Sequence, residues 1–121
     1  LAELLIVVAI IAVLVAISIP IFTSQLHKAR VATDWANLRA YYAEIQADFI
    51  STGEYNKKVP YEGNPNSTEY FPKEITFLNG QKVKMQEGFF WVRPIAGKGY
   101  TIAYDCNNRH PKCELILGSY S

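Results

Sequence analysis

The sequence has little of what most enzymes and nucleic-acid-binding proteins need. Twelve Lys and Arg residues against eleven Asp and Glu residues give a net charge of +1, which provides no broad basic face for a polyanion. The chain has only two histidines, His27 and His110, and it contains no G-x-S-x-G, glycine-rich phosphate loop, C-x-x-C or H-E-x-x-H motif. We therefore expect no catalysis, no cofactor and no direct nucleic-acid binding.

Charge is also scarce at the start of the chain. Glu3 is the only charged side chain before His27-Lys28, and from Leu4 to Phe22 only Ser18 is polar. A helix of these 19 residues would be roughly 28 Å long, which is close to the ~30 Å thickness of a bilayer's hydrocarbon core. A secretory signal peptide would instead have a basic start and a small-residue cleavage site. The run therefore predicts a retained membrane helix.

Helical periodicity continues beyond this run. Apolar residues recur at steps of three and four, with Asp34, Arg39, Glu44 and Asp48 between them, at positions Val31, Trp35, Leu38, Tyr42, Ile45 and Phe49. Ser51-Thr52-Gly53 is a plausible stop, because glycine suits a left-handed helix cap. The pattern predicts one helix of about 50 residues. Pro20, inside it, should produce a kink or a locally unwound stretch around residues 17–19.

The rest of the chain reads as a loop and a series of strands. Residues 53–73 lack a clean period, whereas strands are predicted at 74–78, 81–85, 89–92 and 100–104, with a candidate last strand at 113–117. Asn79-Gly80 is a signal for a two-residue hairpin turn. We predict an α+β fold in which the long N-terminal helix packs on a four-stranded antiparallel sheet. Its divisions are a membrane segment at 1–24 and a globular head at 25–121, made of helix 25–52, loop 53–73, and sheet with cysteine loop 74–121.

The only cysteines are Cys106 and Cys113. Their even number and close spacing favour a disulfide, and hence an oxidising location for this part of the chain; two free buried thiols are the alternative. Under the positive-inside rule, Lys28 and Arg30 favour a cytoplasmic location for the chain that follows the apolar run. The cysteines favour an oxidising location for that same part, so the clues to orientation conflict. One carboxylate near the cysteines, Asp105, makes too poor a ligand set for calcium, and no metal site is expected.

The first residues resemble a known family. Leu1-Ala2-Glu3-Leu4-Leu5 is similar to the third to seventh positions of the N-terminal signature of type IV pilins, F-T-L-x-E-L-[LIV], which precedes an apolar helix. The family's mid-helix proline falls on Pro20. Many members have a glycine where this chain has Ala12, which is a better helix former by about 1 kcal/mol. The resemblance implies the pilin fold and assigns filament assembly to Glu3, Leu4, Leu5 and Pro20.

The resemblance also implies partners and a location. Prepilins lie in the cytoplasmic membrane, where a prepilin peptidase/N-methyltransferase removes a short basic leader and methylates the new terminus. Subunits then form a homopolymer with minor pilins, on an inner-membrane platform protein, as an extracellular pilus for adhesion, twitching motility or DNA uptake. Glu3 would meet a subunit's N-terminal amine, and Arg109, His110 and Lys112 would form a surface adhesion loop. The alternatives are a pseudopilin of a type II secretion or competence system and a membrane-tethered binding domain that does not polymerise.

Overall fold

The computed structural model describes residues 2–67, 69–107 and 113–118, and of residues 17–24 it describes only the backbone. One helix, α1 (Ala2–Thr52), precedes five strands: β1 (Glu74–Thr76), β2 (Lys82–Lys84), β3 (Gly88–Ile95), β4 (Gly99–Cys106) and β5 (Leu115–Leu117). The chain divides into two compact units, Leu1–Arg30 and Val31–Ser121. The strands all belong to the second unit, and the predicted α+β class is confirmed.

Helix α1 has the predicted length of about 50 residues, since it contains 51. It ends at Gly53, whose φ of 75° lies in the left-handed region that glycine adopts readily. The Gly53 N–H donates to the Phe49 carbonyl at 2.7 Å. The backbone is helical at residues 17–19, so of the two consequences predicted for Pro20 the unwound stretch is wrong, and the kink stays a prediction. One proline removes a single backbone hydrogen bond, and no glycine precedes Gly53 to ease further unwinding.

The buried face of α1 in the second unit is wider than the predicted stripe. Its buried positions are spaced three, four, three and four residues apart, at Val31, Asp34, Leu38, Tyr41 and Ile45. The prediction was right for three of these positions, and the predicted Trp35, Tyr42 and Phe49 are partly buried against the same core. Tyr41 was not predicted, and Asp34 was placed between the apolar positions rather than among them.

The strands form two antiparallel sheets instead of the predicted single four-stranded sheet. The first pairs β1 with β2, and the second has the order β3-β4-β5. In the second sheet Trp91 lies opposite Ala103, and Ala103 lies opposite Ile116. The candidate last strand at 113–117 is shorter in the structure, since only residues 115–117, strand β5, pair with β4.

The sheets are separate because loop residues occupy the outer edge of β3. The Phe90 N–H donates to the Pro72 carbonyl at 3.1 Å, and the Val92 carbonyl accepts from the Glu62 N–H at 2.8 Å. Pro94 is two residues further along β3 and has no N–H to offer, which is typical of an edge strand. The loop at 53–73 therefore covers the edge that a four-stranded sheet would have used for β2.

The β1–β2 turn also differs from the prediction. Phe77 closes the hairpin, since its N–H donates to the Gln81 carbonyl at 2.8 Å and its carbonyl accepts from the Gly80 N–H at 2.9 Å. Three residues, 78–80, therefore lie between the closing residues Phe77 and Gln81, where two were predicted. Gly80 has a φ of 94°, which places it in the left-handed position of a three-residue hairpin loop.

Aromatic rings join the helix, the loop and both sheets in the second unit. Tyr41 of α1 packs edge-on against Phe77 and Phe90, with ring centroids 5.7 and 6.2 Å away. Tyr55 of the loop packs against Phe49 and Tyr100 at 4.9 and 5.3 Å. The described part of loop 53–73 is therefore held by aromatic packing, although it contains no helix or strand.

Candidate functional site

The described part of the first unit is an apolar helix without an apolar cover of its own. Every side chain from Ala2 to Ala16 is exposed. Ten large apolar side chains keep 51–73% of their surface accessible: Leu4, Leu5, Ile6, Val7, Val8, Ile10, Ile11, Val13, Leu14 and Val15. Exposed apolar surface of this extent marks a site of contact with lipid or protein. Covering ten such side chains would contribute on the order of 10 kcal/mol.

The assembly residues predicted at the start of this helix share its exposure. Leu4 and Leu5 are 70% and 73% exposed, and Glu3 lies exposed in the first turn of α1. A carboxylate in the first turn also suits the positive end of the helix dipole, by roughly 0.3–1 kcal/mol. The structure thus places Glu3, Leu4 and Leu5 on one accessible segment. The contact between Glu3 and an amine concerns an assembled filament and stays a prediction.

The predicted membrane segment extends beyond the described side chains. It runs to residue 24, whereas the side chains of residues 17–24, including Pro20, lie outside the described part. Over the described residues alone, no helix combines the length and the apolar character that a membrane crossing requires. Membrane insertion therefore stays a prediction.

Asp34 forms a polar contact that the sequence analysis did not anticipate. Its side chain is 0% exposed, and Oδ1 accepts from the Gln86 N–H at 2.8 Å. Oδ2 accepts from the Glu87 N–H at 2.9 Å and from the Tyr104 hydroxyl at 2.7 Å. Burial raises the pKa of Tyr104, and its hydrogen bond to Asp34 raises that pKa further. Asp34 therefore holds the β2–β3 connection and β4 against the helix.

Two further side chains of α1 hold strand ends in the same way. Glu44 Oε1 accepts from the Leu78 N–H at 2.5 Å in the β1–β2 turn. Gln46 Oε1 accepts from the Tyr100 N–H at 2.6 Å, and its Nε2 donates to the Lys98 carbonyl at 3.4 Å. The helix thus fixes each sheet by hydrogen bonds to backbone groups outside the strand ladders, in addition to apolar packing.

The spacing of Asp34 from its apolar neighbours indicates that it lies on the buried face of the helix. Asp34 lies three residues after Val31 and four before Leu38, which places it on the apolar face of the helix. A carboxylate on such a face needs internal donors, since burying it unpaired is costly. Two of the three donors are backbone groups, at Gln86 and Glu87, and no side-chain pattern identifies such groups. The third is the hydroxyl of Tyr104.

The predicted disulfide is present. Cys106 and Cys113 are bonded with a Cα–Cα distance of 5.6 Å, and both are buried. The indole N–H of Trp35 donates to the Cys113 carbonyl at 3.0 Å, so the helix also holds the base of the cysteine loop. The bridge closes a loop of eight residues, for which the chain-entropy relation gives about 2–2.5 kcal/mol of stabilisation.

The proposed adhesion residues lie inside that loop. Arg109, His110 and Lys112 fall outside the described residues, so their surface role stays a prediction. Of the loop's other residues, Asn107 is described, and its N–H donates to the Glu87 carbonyl at 2.8 Å. Asp105, which precedes the loop, is buried, and its Oδ1 accepts from the Cys106 N–H at 2.8 Å.

The geometry supports association more readily than chemistry. The buried carboxylate of Asp34 and the partly buried one of Glu44 accept from backbone N–H groups, which is a structural use. The exposed apolar helix, in contrast, has a large surface available to other molecules. No family model, no curated protein and no solved structure matches the chain.

Proposed function

We propose that this chain is the structural subunit of a type IV pilus, and more specifically a major pilin. In this proposal the apolar N-terminal helix leaves the cytoplasmic membrane and packs against copies of itself in the core of a helical filament. The helix at 2–16 carries the proposal, because its apolar side chains are exposed all round. The N-terminal signature around Glu3 and the head built on the second half of α1 support it.

Assembly needs a directional interaction in addition to apolar contact. Lipid tails are about as apolar as Leu and Ile, so moving the helix from bilayer to filament gains little from the hydrophobic effect. A carboxylate in a dry core is costly unless a counter-charge reaches it. The N-terminal amine of a mature pilin is positive at neutral pH, with a reference pKa near 8. Pairing with that amine, in the same or a neighbouring subunit, would let Glu3 set the register between subunits.

The second unit would form the outer layer of the filament. Its core is complete within one chain, since Leu38, Tyr41 and Ile45 are fully buried. The disulfide Cys106–Cys113 agrees with an extracellular location, where such bonds persist. Prepilin peptidase, minor pilins and the membrane platform protein would be the partners of this subunit, as they are in the family it resembles.

Counting pili on cells that produce Glu3→Ala tests the role of Glu3. We expect few or no pili, while the subunit still accumulates in the membrane with its disulfide formed. Glu54→Ala is the matched control, because it removes an exposed carboxylate from the loop that follows α1. Pili at the wild-type number in the Glu3→Ala strain would refute the proposed role.

Electron microscopy of sheared surface material separates the proposal from its alternatives. Antibody to this chain should label long fibres if the chain is a major pilin. Short fibres, or fibres seen only on overproduction, would identify a pseudopilin. Surface material without labelled fibres would identify a membrane-tethered domain that does not polymerise.

A further inference from the structure

The solvent-facing side of β3 is unusually aromatic. Gly88, Phe90 and Val92 of this strand are buried, whereas Phe89 and Trp91 are half-buried and Arg93 is exposed. An antiparallel sheet with one face on the core normally presents polar side chains on the other face. Here two of the four outward positions carry large rings, and Trp91 lies opposite the small Ala103 on β4.

Loop residues extend this aromatic surface. The Phe71 ring lies edge-on to Phe89 and Trp91, with centroids 5.8 and 5.9 Å away, and Phe89 stacks on Trp91 at 6.0 Å. Phe71, however, remains 60% exposed, and its neighbour Tyr70 is 70% exposed. The rings thus face solvent while packing fixes their orientation.

The rings of Tyr70, Phe71 and Trp91 line a groove of about 630 Å³ that also carries charged side chains. The volume lies within the roughly 300–1,000 Å³ of small-molecule sites. Glu62 and Arg93 line it and form an ion pair of 2.9 Å, and Glu69 lies beside Tyr70. The groove therefore combines an aromatic wall with carboxylate acceptors and guanidinium donors.

We propose that this groove binds a neutral saccharide. A pyranose ring has a face of C–H groups, which can lie on an aromatic ring, and an edge of hydroxyls. Each hydroxyl both donates and accepts hydrogen bonds, so it can use the carboxylates and the guanidinium alike. Planar carboxylate and guanidinium groups also engage two neighbouring polar atoms at once.

Other classes of ligand fit these residues less well. A lipid chain would cover Glu62, Glu69 and Arg93 without giving them hydrogen bonds, and removing charged groups from water without new hydrogen bonds is costly. A strongly basic peptide would meet the charge of Arg93, and a strongly acidic one would meet the two carboxylates. The mixed charges of the groove therefore favour a ligand that is uncharged but rich in hydroxyls.

The test uses the full chain in a detergent that has no sugar headgroup, so that the detergent does not compete. A panel of immobilised glycans, half of vertebrate cell-surface type and half bacterial polysaccharide fragments, identifies a ligand and separates these two sources. Titration calorimetry with the corresponding soluble oligosaccharide then gives its affinity. We expect Phe71→Ala to weaken binding at least tenfold and Glu69→Gln to weaken it severalfold, while Phe71→Tyr stays within about threefold of wild type.

Ile116→Ala is the matched control, since it removes an apolar side chain that is 65% exposed on β5, the other edge strand of the same sheet. It should leave the affinity unchanged. Failure of every neutral glycan to bind would overturn the proposal, as would binding that Phe71→Ala does not weaken. Neither result would bear on polymerisation, which depends on the N-terminal helix.

Discussion

Helix α1 uses similar residue types in opposite ways in its two units. In residues 2–16 the apolar side chains are exposed, and so is the carboxylate of Glu3. In the second unit Leu38, Tyr41 and Ile45 are fully buried, and so is the carboxylate of Asp34. The burial of a side chain in this helix thus depends on what the surrounding chain offers it, and hydropathy alone does not determine it.

The difference follows from how the apolar residues are distributed. The first segment is apolar all round and has no preferred side, which is typical of a helix surrounded by lipid or by other helices. The second has a single apolar face, which the chain's own sheets cover. Asp34 is stable on that face because two backbone N–H groups and a hydroxyl reach it. The second segment is thus packed within the chain, whereas the first keeps its apolar surface accessible.

Replacing the carboxylates of Asp34 and Glu3 separately sharpens this comparison, and Asp34→Ala should give the largest effect on stability. Asp34→Ala leaves the N–H groups of Gln86 and Glu87 and the Tyr104 hydroxyl without their acceptor. Hydrogen bonds to charged groups contribute roughly 1.5–3 kcal/mol each. Because the variant also removes the cost of burying a carboxylate, we expect a net destabilisation of about 3–5 kcal/mol. Thermal unfolding of the second unit, followed by near-ultraviolet circular dichroism, measures it.

Glu3→Ala is the matched variant for that measurement. We expect it to leave unfolding of the second unit within about 0.5 kcal/mol of wild type, as an exposed substitution away from a core should. Equal effects of the two substitutions would break the comparison. A small effect of Asp34→Ala would mean that water replaces the lost acceptor.

Removing the disulfide should give the next largest effect. The double variant Cys106→Ser and Cys113→Ser frees the loop in the unfolded chain, and we expect it to lower stability by about 2–2.5 kcal/mol. Because both cysteines are buried, the new hydroxyls add some cost of their own. Reducing the wild-type disulfide provides the control without that cost, and unfolding unaffected by both treatments would contradict the expected role.

Local patterns predicted the elements of this fold better than their assembly. The length of α1, its stop at Gly53 and the cysteine bridge follow from interactions between residues close in sequence, and all were predicted. The division into two sheets was not, since it depends on the backbones of Pro72 and Glu62 reaching β3 from a loop without a periodic pattern. The apolar surface at Leu4 and Leu5 could also be predicted, because it belongs to a continuous run of apolar residues close together in sequence.

The residues that were missed depend on contacts over long sequence distances. Asp34 receives its hydrogen bonds from residues 52, 53 and 70 positions away. The aromatic groove unites Phe71 of the loop with Trp91 of β3, and strand alternation alone does not indicate what covers the outer face of a sheet. Such contacts are set by tertiary packing, which one sequence without its fold does not specify.

The smallest predicted effect concerns Tyr41, whose buried polar group differs from that of Asp34 in its hydrogen bonding. Its hydroxyl is buried and has no hydrogen-bond partner among the described residues. Tyr41→Phe removes this group while keeping the ring contacts with Phe77 and Phe90. We expect a gain of about 0.5–1 kcal/mol at pH 7, measured by the same thermal unfolding.

The pH dependence of that gain provides a second measurement. Burial raises the pKa of Tyr41, and the charge of Glu44 raises it further. A phenol whose pKa is higher in the folded state contributes stability that is complete below its ordinary pKa of about 10 and is lost as pH rises above it. The advantage of Tyr41→Phe over wild type should therefore widen above pH 10, by up to ~1.4 kcal/mol per pH unit. Tyr70→Phe is the control, because Tyr70 is exposed and its replacement should change neither quantity. A loss of stability in Tyr41→Phe at pH 7 would show that the hydroxyl has a partner, and the contrast with Asp34 would then fail.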